Sequence, residues 1–175
     1  MQVLRQFSIP FKGLKDGKHN FEFELTDKFF AEYADSPIQK GALSVHLELE
    51  KKSDHMLIEF STDGTIETEC DRCTSKINLP LSYSSNFIIK FDEDEREEEE
   101  LIYIHPESHH LKLADLFYEQ TILSLPLIKV YDCEDESPRP CNEKVLDILN
   151  SEKEEIISNN IFGEVLKDLK ITKND

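Results

Sequence analysis

The chain has 175 residues, of which 38% are hydrophobic and 33% charged, and its formal net charge is -17. No stretch approaches the roughly 20 apolar residues of a membrane helix, and Met1 to Phe11 carries no apolar run of the signal-peptide type. The composition therefore speaks against a membrane-spanning helix and predicts a cytoplasmic protein. Because like charges repel, the negative balance also opposes nonspecific binding to a nucleic-acid backbone.

The N-terminal region predicts a hairpin followed by a short helix. Residues 3–12 and 19–25 have the apolar alternation of half-buried strands. The segment between them, with Asp16-Gly17, has the composition of a turn. A helix is expected over residues 27–35, and Ser36-Pro37 would end it.

The middle of the chain predicts a meander of antiparallel strands. Apolar residues alternate from Leu43 to Leu49 and again from Met56 to Phe60. A turn is expected at Thr62-Asp63-Gly64, after which the strand pattern resumes up to the cysteine pair. Three further strands are expected, at residues 77–81, 87–91 and 101–104.

The last third predicts helices and acidic connections. The strongest helix pattern covers residues 113–125, with Leu113, Leu116, Phe117 and Leu123 on one side, and Pro126 ends it. Asn142 is a candidate N-cap for a helix through Leu149. A last short helix carries an apolar stripe of five residues: Ile161, Phe162, Val165, Leu166 and Leu169.

The negative charge is concentrated in the second half. Residues 1–91 hold 14 acidic and 11 basic side chains, whereas residues 92–175 hold 23 and 9. Eight of the nine residues from 92 to 100 are acidic, which predicts a solvated loop. We therefore expect a core domain over residues 1–131 and an acidic, partly helical extension over residues 132–175. The predicted fold class is α+β, with a mostly antiparallel sheet or a partly closed barrel and a few helices.

The four cysteines are the clearest candidate site. Cys70 and Cys73 have zinc-knuckle spacing, and Cys133 and Cys141 would complete four ligands for one tetrahedral zinc ion. In a reducing compartment such pairs are more often metal ligands or free thiols than disulfides. Further candidate ligands are His105, His109 and His110. The alternatives are four reduced thiols without a metal, or a dithiol redox enzyme using Cys70 and Cys73.

The context of the first pair argues against the enzyme. Redox-active cysteines often lie at a helix N-terminus, which lowers the thiol pKa. The residues after Cys73, from Thr74 to Leu81, instead have a strand pattern. Arg72 is a nearby cation that keeps the alternative open. A second candidate contact is the basic cluster of Lys12, Lys15 and Lys18, with Arg5 and His19 nearby, which either touches phosphate or is a solvated hairpin.

Several segments in order resemble one family. Ile9-Pro10-Phe11-Lys12-Gly13-Leu14, the Cys70-Asp71-Arg72-Cys73 motif, the acidic insert before a strand, and a helix ending Leu125-Pro126-Leu127 are similar to the YceD family in its Bacteroidetes form. Cys141-Asn142 resembles the late cysteine of that family. The similarity runs from about residue 5 to about residue 170.

The resemblance implies a bacterial, non-enzymatic factor that supports accumulation of large-subunit ribosomal RNA, with no catalytic residues and no small-molecule substrate. The net negative charge indicates the class of partner, because an acidic chain attracts basic proteins. We expect a basic ribosomal protein or a precursor particle of the large subunit as the partner, and the sequence leaves open whether RNA is touched directly.

Overall fold

The computed structural model describes residues 3–94, 96–98, 100–130 and 138–158. The chain divides into two compact units. Met1–Thr68 and Ile77–Lys129 form the first, and Glu69–Lys76 groups with the chain from Val130 onward in the second. None of the helices in these described ranges combines the length and the apolar composition that a membrane crossing requires.

Within the described residues, six strands form the main sheet and two form a separate pair. The strands are β1 (Ser8–Ile9), β2 (Gly17–Leu25), β3 (Lys40–Lys51), β4 (His55–Glu69), β5 (Lys76–Phe91), β6 (Arg96–Glu98), β7 (Leu101–Ile104) and β8 (Leu111–Lys112). The main sheet has the order β2-β3-β4-β5-β7-β6, and β1 pairs with β8. The predicted α+β class with a mostly antiparallel sheet is therefore confirmed.

The sheet is open, so the predicted partly closed barrel is wrong. Its two edge strands, β2 and β6, are not paired with each other. Strand β7 lies parallel to β5, with Ile88 opposite Leu101, although the sequence suggested antiparallel hairpins throughout. Strand β6 lies inside the acidic segment that was expected to be a loop, and it pairs with β7. The side chain of Arg96 supports this strand by contacting Asp92 and Glu98, both at 2.9 Å.

The long hairpin of β3 and β4 forms one wall of the core. Its predicted alternation is confirmed, because one set of side chains is buried and the other faces out. The buried set is Leu43, Val45, Leu47, Leu49, Met56, Ile58 and Phe60. The expected turn at Gly64 is wrong, since β4 continues through it and Gly64 pairs with Leu43. A Cβ atom at Gly64 would lie 2.1 Å from the carbonyl oxygen of Ala42, so glycine permits a close approach of the backbones here.

Three helices accompany the strands in the described residues. The first, α1, spans only Asp27–Phe30, because Glu32 and Tyr33 then donate to carbonyls three residues back and the helix tightens into turns. Helix α2 spans Ala114–Leu123 and confirms the prediction, although Leu123 is 76% exposed and does not face the core. Helix α3 spans Glu143–Ser158, nine residues beyond the predicted end at Leu149. The predicted helix over residues 161–169 lies outside the described residues.

Aromatic side chains hold α2 and the N-terminal segment together. Phe117 on α2 lies 5.1 Å from Phe60 and 5.3 Å from Phe23, ring centre to ring centre. Phe7 packs edge-on against Phe29 at 4.8 Å. Phe7 belongs to a 3₁₀-helix and not to the predicted strand over residues 3–12. Only Ser8 and Ile9 are strand there, because Pro10 has no N–H group to continue the ladder.

Candidate functional site

Cys70 and Cys73 lie in the tight turn that joins β4 to β5. The N–H of Cys70 donates to the carbonyl of Ser75, and the N–H of Thr74 donates to the carbonyl of Cys70, both at 2.8 Å. Thr74 has a φ of 57°, a left-handed conformation that closes the turn. Both cysteines are buried and carry free thiols. The turn therefore holds two thiols together inside the protein.

Several hydrogen-bond donors surround the Cys73 sulfur. Burial alone raises the pKa of this thiol, but the backbone N–H groups of Asn142 and Ser75, the Ser75 hydroxyl and the Cys70 thiol outweigh it and lower the pKa to about 7. The strand pattern after Cys73 offers no helix dipole, so the sequence alone did not predict a lowered thiol pKa from these donors. In the sequence, only Ser75, two residues after Cys73, indicated a nearby hydrogen-bond donor. No local pattern indicated the contribution of Asn142.

Only one cysteine of the second predicted pair of ligands, Cys133 and Cys141, lies within the described residues. Cys141 is disulfide-bonded, and Cys133 lies outside the described residues. A sulfur in a disulfide is not a thiolate ligand, and among the described side chains no group of three His, Cys, Asp or Glu residues is arranged to hold a metal ion. The structure thus brings together Cys70, Cys73 and the backbone of Asn142, which directly follows Cys141.

The candidate histidines lie elsewhere. His105 accepts a hydrogen bond from the N–H of Glu107 at 3.2 Å through its Nδ1 atom, and His109 and His110 are exposed. All three belong to the first compact unit, whereas the cysteines belong to the second. The histidines are accordingly not part of the cysteine turn.

The outward face of β2, β3 and β4 is acidic. Glu48 lies directly opposite Glu59 across the β3–β4 ladder, and like charges at such positions cost stability. Lys18 offsets part of that cost through an ion pair with Glu48 at 2.6 Å, which raises the pKa of the lysine. A shallow cleft of about 470 Å³ lies on this face. The acidic residues that share the face are Glu22, Glu24, Glu48, Glu50, Glu59, Asp63 and Glu67.

The predicted basic hairpin does not form. Lys12 lies in a 3₁₀-helix and donates to the carbonyl of Glu107 at 3.2 Å. Lys18 lies in β2, which pairs with β3 and not with the preceding segment. Lys15 uses its carbonyl to accept a hydrogen bond from His19 at 2.8 Å. Two of the three lysine ammonium groups thus already have partners within the protein.

The chain matches the model of a known protein family. The model of the family described as large ribosomal RNA subunit accumulation protein YceD matches residues 58–170. The chain belongs to the YceD family. The YceD match covers β4 from Ile58 onward, the cysteine turn, β5 and the rest of the chain up to residue 170, so it includes all four cysteines. No curated protein and no solved structure matches the chain.

Membership of the YceD family confirms the resemblance over residues 58–170; the similarity expected before residue 58 lies outside the match. The family is described by its part in accumulation of the large ribosomal RNA subunit. Strands β2 and β3, which carry four of the seven acidic residues of this face, precede the YceD match. Sequence reasoning had located the acidic charge mainly after residue 92; the polar positions that alternate with the core residues of β2 and β3 were the pattern that could have revealed this face.

Proposed function

We propose that the chain supports accumulation of large-subunit ribosomal RNA without catalysing a reaction, by binding a basic ribosomal protein or a precursor particle of the large subunit. The family supports the process. The acidic face of β2, β3 and β4 supports the class of partner, because a surface of one sign attracts the opposite sign and accelerates encounter.

The arrangement of carboxylates on this face supports the proposal more specifically than the net charge does. Glu48 and Glu59 stand opposite each other on a face where neutral side chains would cost less. Glu24 and Glu59 are exposed, and neither has an ion-pair partner among the described residues. Carboxylates held in this way are available for the Lys and Arg side chains of a partner.

The test compares two double variants with the same change in charge. Glu24→Gln with Glu59→Gln alters the acidic face, whereas Glu93→Gln with Glu107→Gln alters exposed acids outside it. Each tagged protein is expressed in the native host, and extracts are sedimented at low and high salt. We expect the first variant alone to leave the pre-large-subunit fractions, and high salt to release every form, because screening weakens exposed charge pairs.

Loss of the gene should lower large-subunit RNA relative to small-subunit RNA. The proposal fails if the two double variants sediment identically, or if the wild-type protein is free of ribosomal material at every salt concentration. Tight binding of the purified protein to isolated ribosomal RNA would indicate that the partner is RNA and not a protein. The residues to examine would then be Arg5, Lys12, Lys15 and Lys18.

A dithiol redox enzyme is the second candidate, and the environment of Cys73 favours it. A thiol with its pKa lowered to about 7 is substantially ionised near neutrality, and the thiolate is the nucleophile in disulfide exchange. Its test is reduction of a disulfide substrate by the wild-type protein and by a Cys70→Ser, Cys73→Ser variant. We expect equal rates, since both cysteines are buried away from a substrate. A rate that depends on the two cysteines would favour the enzyme.

A further inference from the structure

A further cavity lies over the short strand pair of β1 and β8, within the first compact unit. Side chains alternate along these strands, so Ile9 and Leu111 are buried in the core, whereas Ser8 and Lys112 lie on the opposite side and line the cavity. The walls are completed by the 3₁₀-helix Leu4–Phe7 and the start of α2. The volume is about 570 Å³, a size that small-molecule sites commonly have.

The charge of this cavity differs from that of the chain as a whole. Arg5, His110 and Lys112 line it with exposed side chains, and none of these side chains has a hydrogen-bond or ion-pair partner among the described residues. Asp115 is the acidic residue of the described lining, and its Oδ1 atom accepts a hydrogen bond from the Tyr33 hydroxyl at 3.0 Å. Two cationic side chains without counterions therefore converge on one cavity, although the chain has a net charge of -17.

The number and origin of the donors favour phosphate as the anion. Arg5 comes from the 3₁₀-helix, whereas His110 and Lys112 come from β8 and the residue before it. A tetrahedral phosphate offers three oxygens to donors that approach from separate elements, whereas a planar carboxylate is matched by a single guanidinium. Helix α2 begins at Ala114 in the same wall, and the dipole of the helix adds positive potential there.

Apolar side chains form another part of the lining. Leu4, Pro10 and Ala114 lie beside the three basic residues. A bare anion gains nothing from an apolar wall, whereas a ligand with both a charged group and an apolar ring system uses both parts of the cavity. A nucleotide has this combination, because its phosphate is linked through a sugar to a flat base.

We propose that this cavity binds one nucleotide, with the phosphate held by Arg5, His110 and Lys112 and the base against the apolar wall. The nucleotide is either free in solution or the 5′-terminal residue of an RNA strand, since both present the same phosphate and base. The interior of a long RNA fits less well, because its many phosphates meet the repulsion of the whole chain. The cavity shares no residue with the acidic face, so this proposal does not rest on the ribosomal partner.

The first measurement is calorimetric titration of the full-length protein with AMP at low salt. Adenosine and inorganic phosphate each carry one part of the ligand, and each should bind about tenfold or more weakly than AMP, because hydrogen bonds to charged groups and burial of the base contribute separately. A triadenylate with a 5′-phosphate distinguishes the two sources. Binding at least as tight as that of AMP assigns the site to an RNA end, and weaker binding assigns it to free nucleotides.

A pair of double variants tests the residues. Arg5→Gln with Lys112→Gln should weaken AMP binding about tenfold or more, since it removes two charged donors. The matched control is Lys15→Gln with Lys90→Gln, which removes the same charge at exposed positions outside the cavity and should leave the affinity unchanged.

A second measurement needs no variant and so does not depend on the folding of one. Amide resonances of the wild-type protein are followed by NMR during titration with AMP. We expect the shift changes to be concentrated at residues 4–10 and 110–115. The amides of Glu48 and Glu59 on the acidic face should not shift.

Four results would overturn the proposal. The first is the absence of binding of both AMP and the trinucleotide at millimolar concentrations. The second is equal affinity for AMP and adenosine, which would mean that the phosphate contributes nothing. The third is a folded Arg5→Gln, Lys112→Gln protein that binds AMP like the wild type. The fourth is a set of amide shift changes that lies outside the cavity.

Discussion

The hydroxyl of Tyr83 on β5 lies 2.7 Å from the hydroxyl of Thr121 on α2. Thr121 is fully buried and also donates to the carbonyl of Phe117 at 2.6 Å. Because a threonine hydroxyl has one proton, it is Tyr83 that donates to Thr121 when Thr121 donates to Phe117. This chain of hydrogen bonds anchors the helix to the sheet, and a neighbouring bond from Ser85 to Gln120 at 2.8 Å reinforces it.

Replacing Tyr83 by Phe should lower the free energy of unfolding by about 0.5–1.5 kcal/mol, since it removes one hydrogen bond and keeps the ring. Urea denaturation measures the change. The control is Tyr103→Phe, whose ring lies 3.9 Å below the Arg96 guanidinium and whose hydroxyl has no hydrogen-bond partner among the described residues. Equal losses in the two variants would mean that the Tyr83–Thr121 contact contributes nothing.

Gly64→Ala should be among the more damaging small substitutions in the sheet. The added Cβ would lie 2.1 Å from the Ala42 carbonyl oxygen and 2.8 Å from the Leu43 Cα atom, and both are backbone atoms that cannot turn away. We expect a loss of about 1–3 kcal/mol or more. Gly13→Ala, where no atom lies within 4 Å of the new Cβ, is the control and should change stability little. The expectation is wrong if the two alanine variants unfold at the same urea concentration.

Zinc binding by Cys70, Cys73, Cys133 and Cys141 stays a prediction from the sequence, in which the four cysteines match the four ligands of a structural zinc site. Titration of the reduced, metal-free protein with cobalt, followed by its visible absorption, reports the ligand set. Cys133→Ser should weaken cobalt binding and reduce the absorption due to sulfur ligation. Ser137→Ala, in the same segment, should bind like the wild type. Wild-type binding by Cys133→Ser would assign the fourth position to another group.

Removal of residues 159–175 should weaken association with pre-large-subunit particles while the sheet stays folded. The segment holds three acidic and three basic residues, so its removal leaves the net side-chain charge unchanged. The cut follows Ser158, where α3 ends. Any loss of co-sedimentation then reflects the apolar stripe of Ile161, Phe162, Val165, Leu166 and Leu169. Phe162→Ser with Leu166→Ser in the full chain should reproduce the loss; if truncated and full-length proteins co-sediment equally, the stripe has no part in binding.

Local patterns predicted the parts of the fold that depend on local interactions. The alternation from Leu43 to Leu49 and the helical spacing of Leu116 and Phe117 correspond to β3 and α2, because periodic burial of side chains leaves its trace in the sequence. The parallel pairing of β5 with β7 could not be predicted in this way. A strand pattern indicates neither which strand lies beside it nor whether the two strands run parallel or antiparallel. The hairpin expected around Asp16-Gly17 failed for the same reason.

The candidate site was likewise predicted only in part. The spacing of Cys70 and Cys73 identified the turn, because side-chain identity is visible in a sequence. The donors that lower the pKa of Cys73 are mostly backbone N–H groups, and one of them, from Asn142, comes from 69 positions further along the chain. Any residue except proline can supply such a donor. Contacts of that kind become predictable only when the path of the chain is known.

The pairing of β1 with β8 has a consequence for how the chain is made. Ser8 pairs with Lys112 and Ile9 with Leu111, and the N–H of Leu113 donates to the carbonyl of Phe7 at 2.9 Å. At a synthesis rate of about 5–20 residues per second, the N-terminal segment emerges roughly 5–20 s before its partner strand. During that interval Phe7 lacks its native neighbour Phe117 on α2, and Ile9 lacks its partner Leu111 on β8. The nascent chain thus keeps an apolar segment without its native partners until residues 111–117 have been translated.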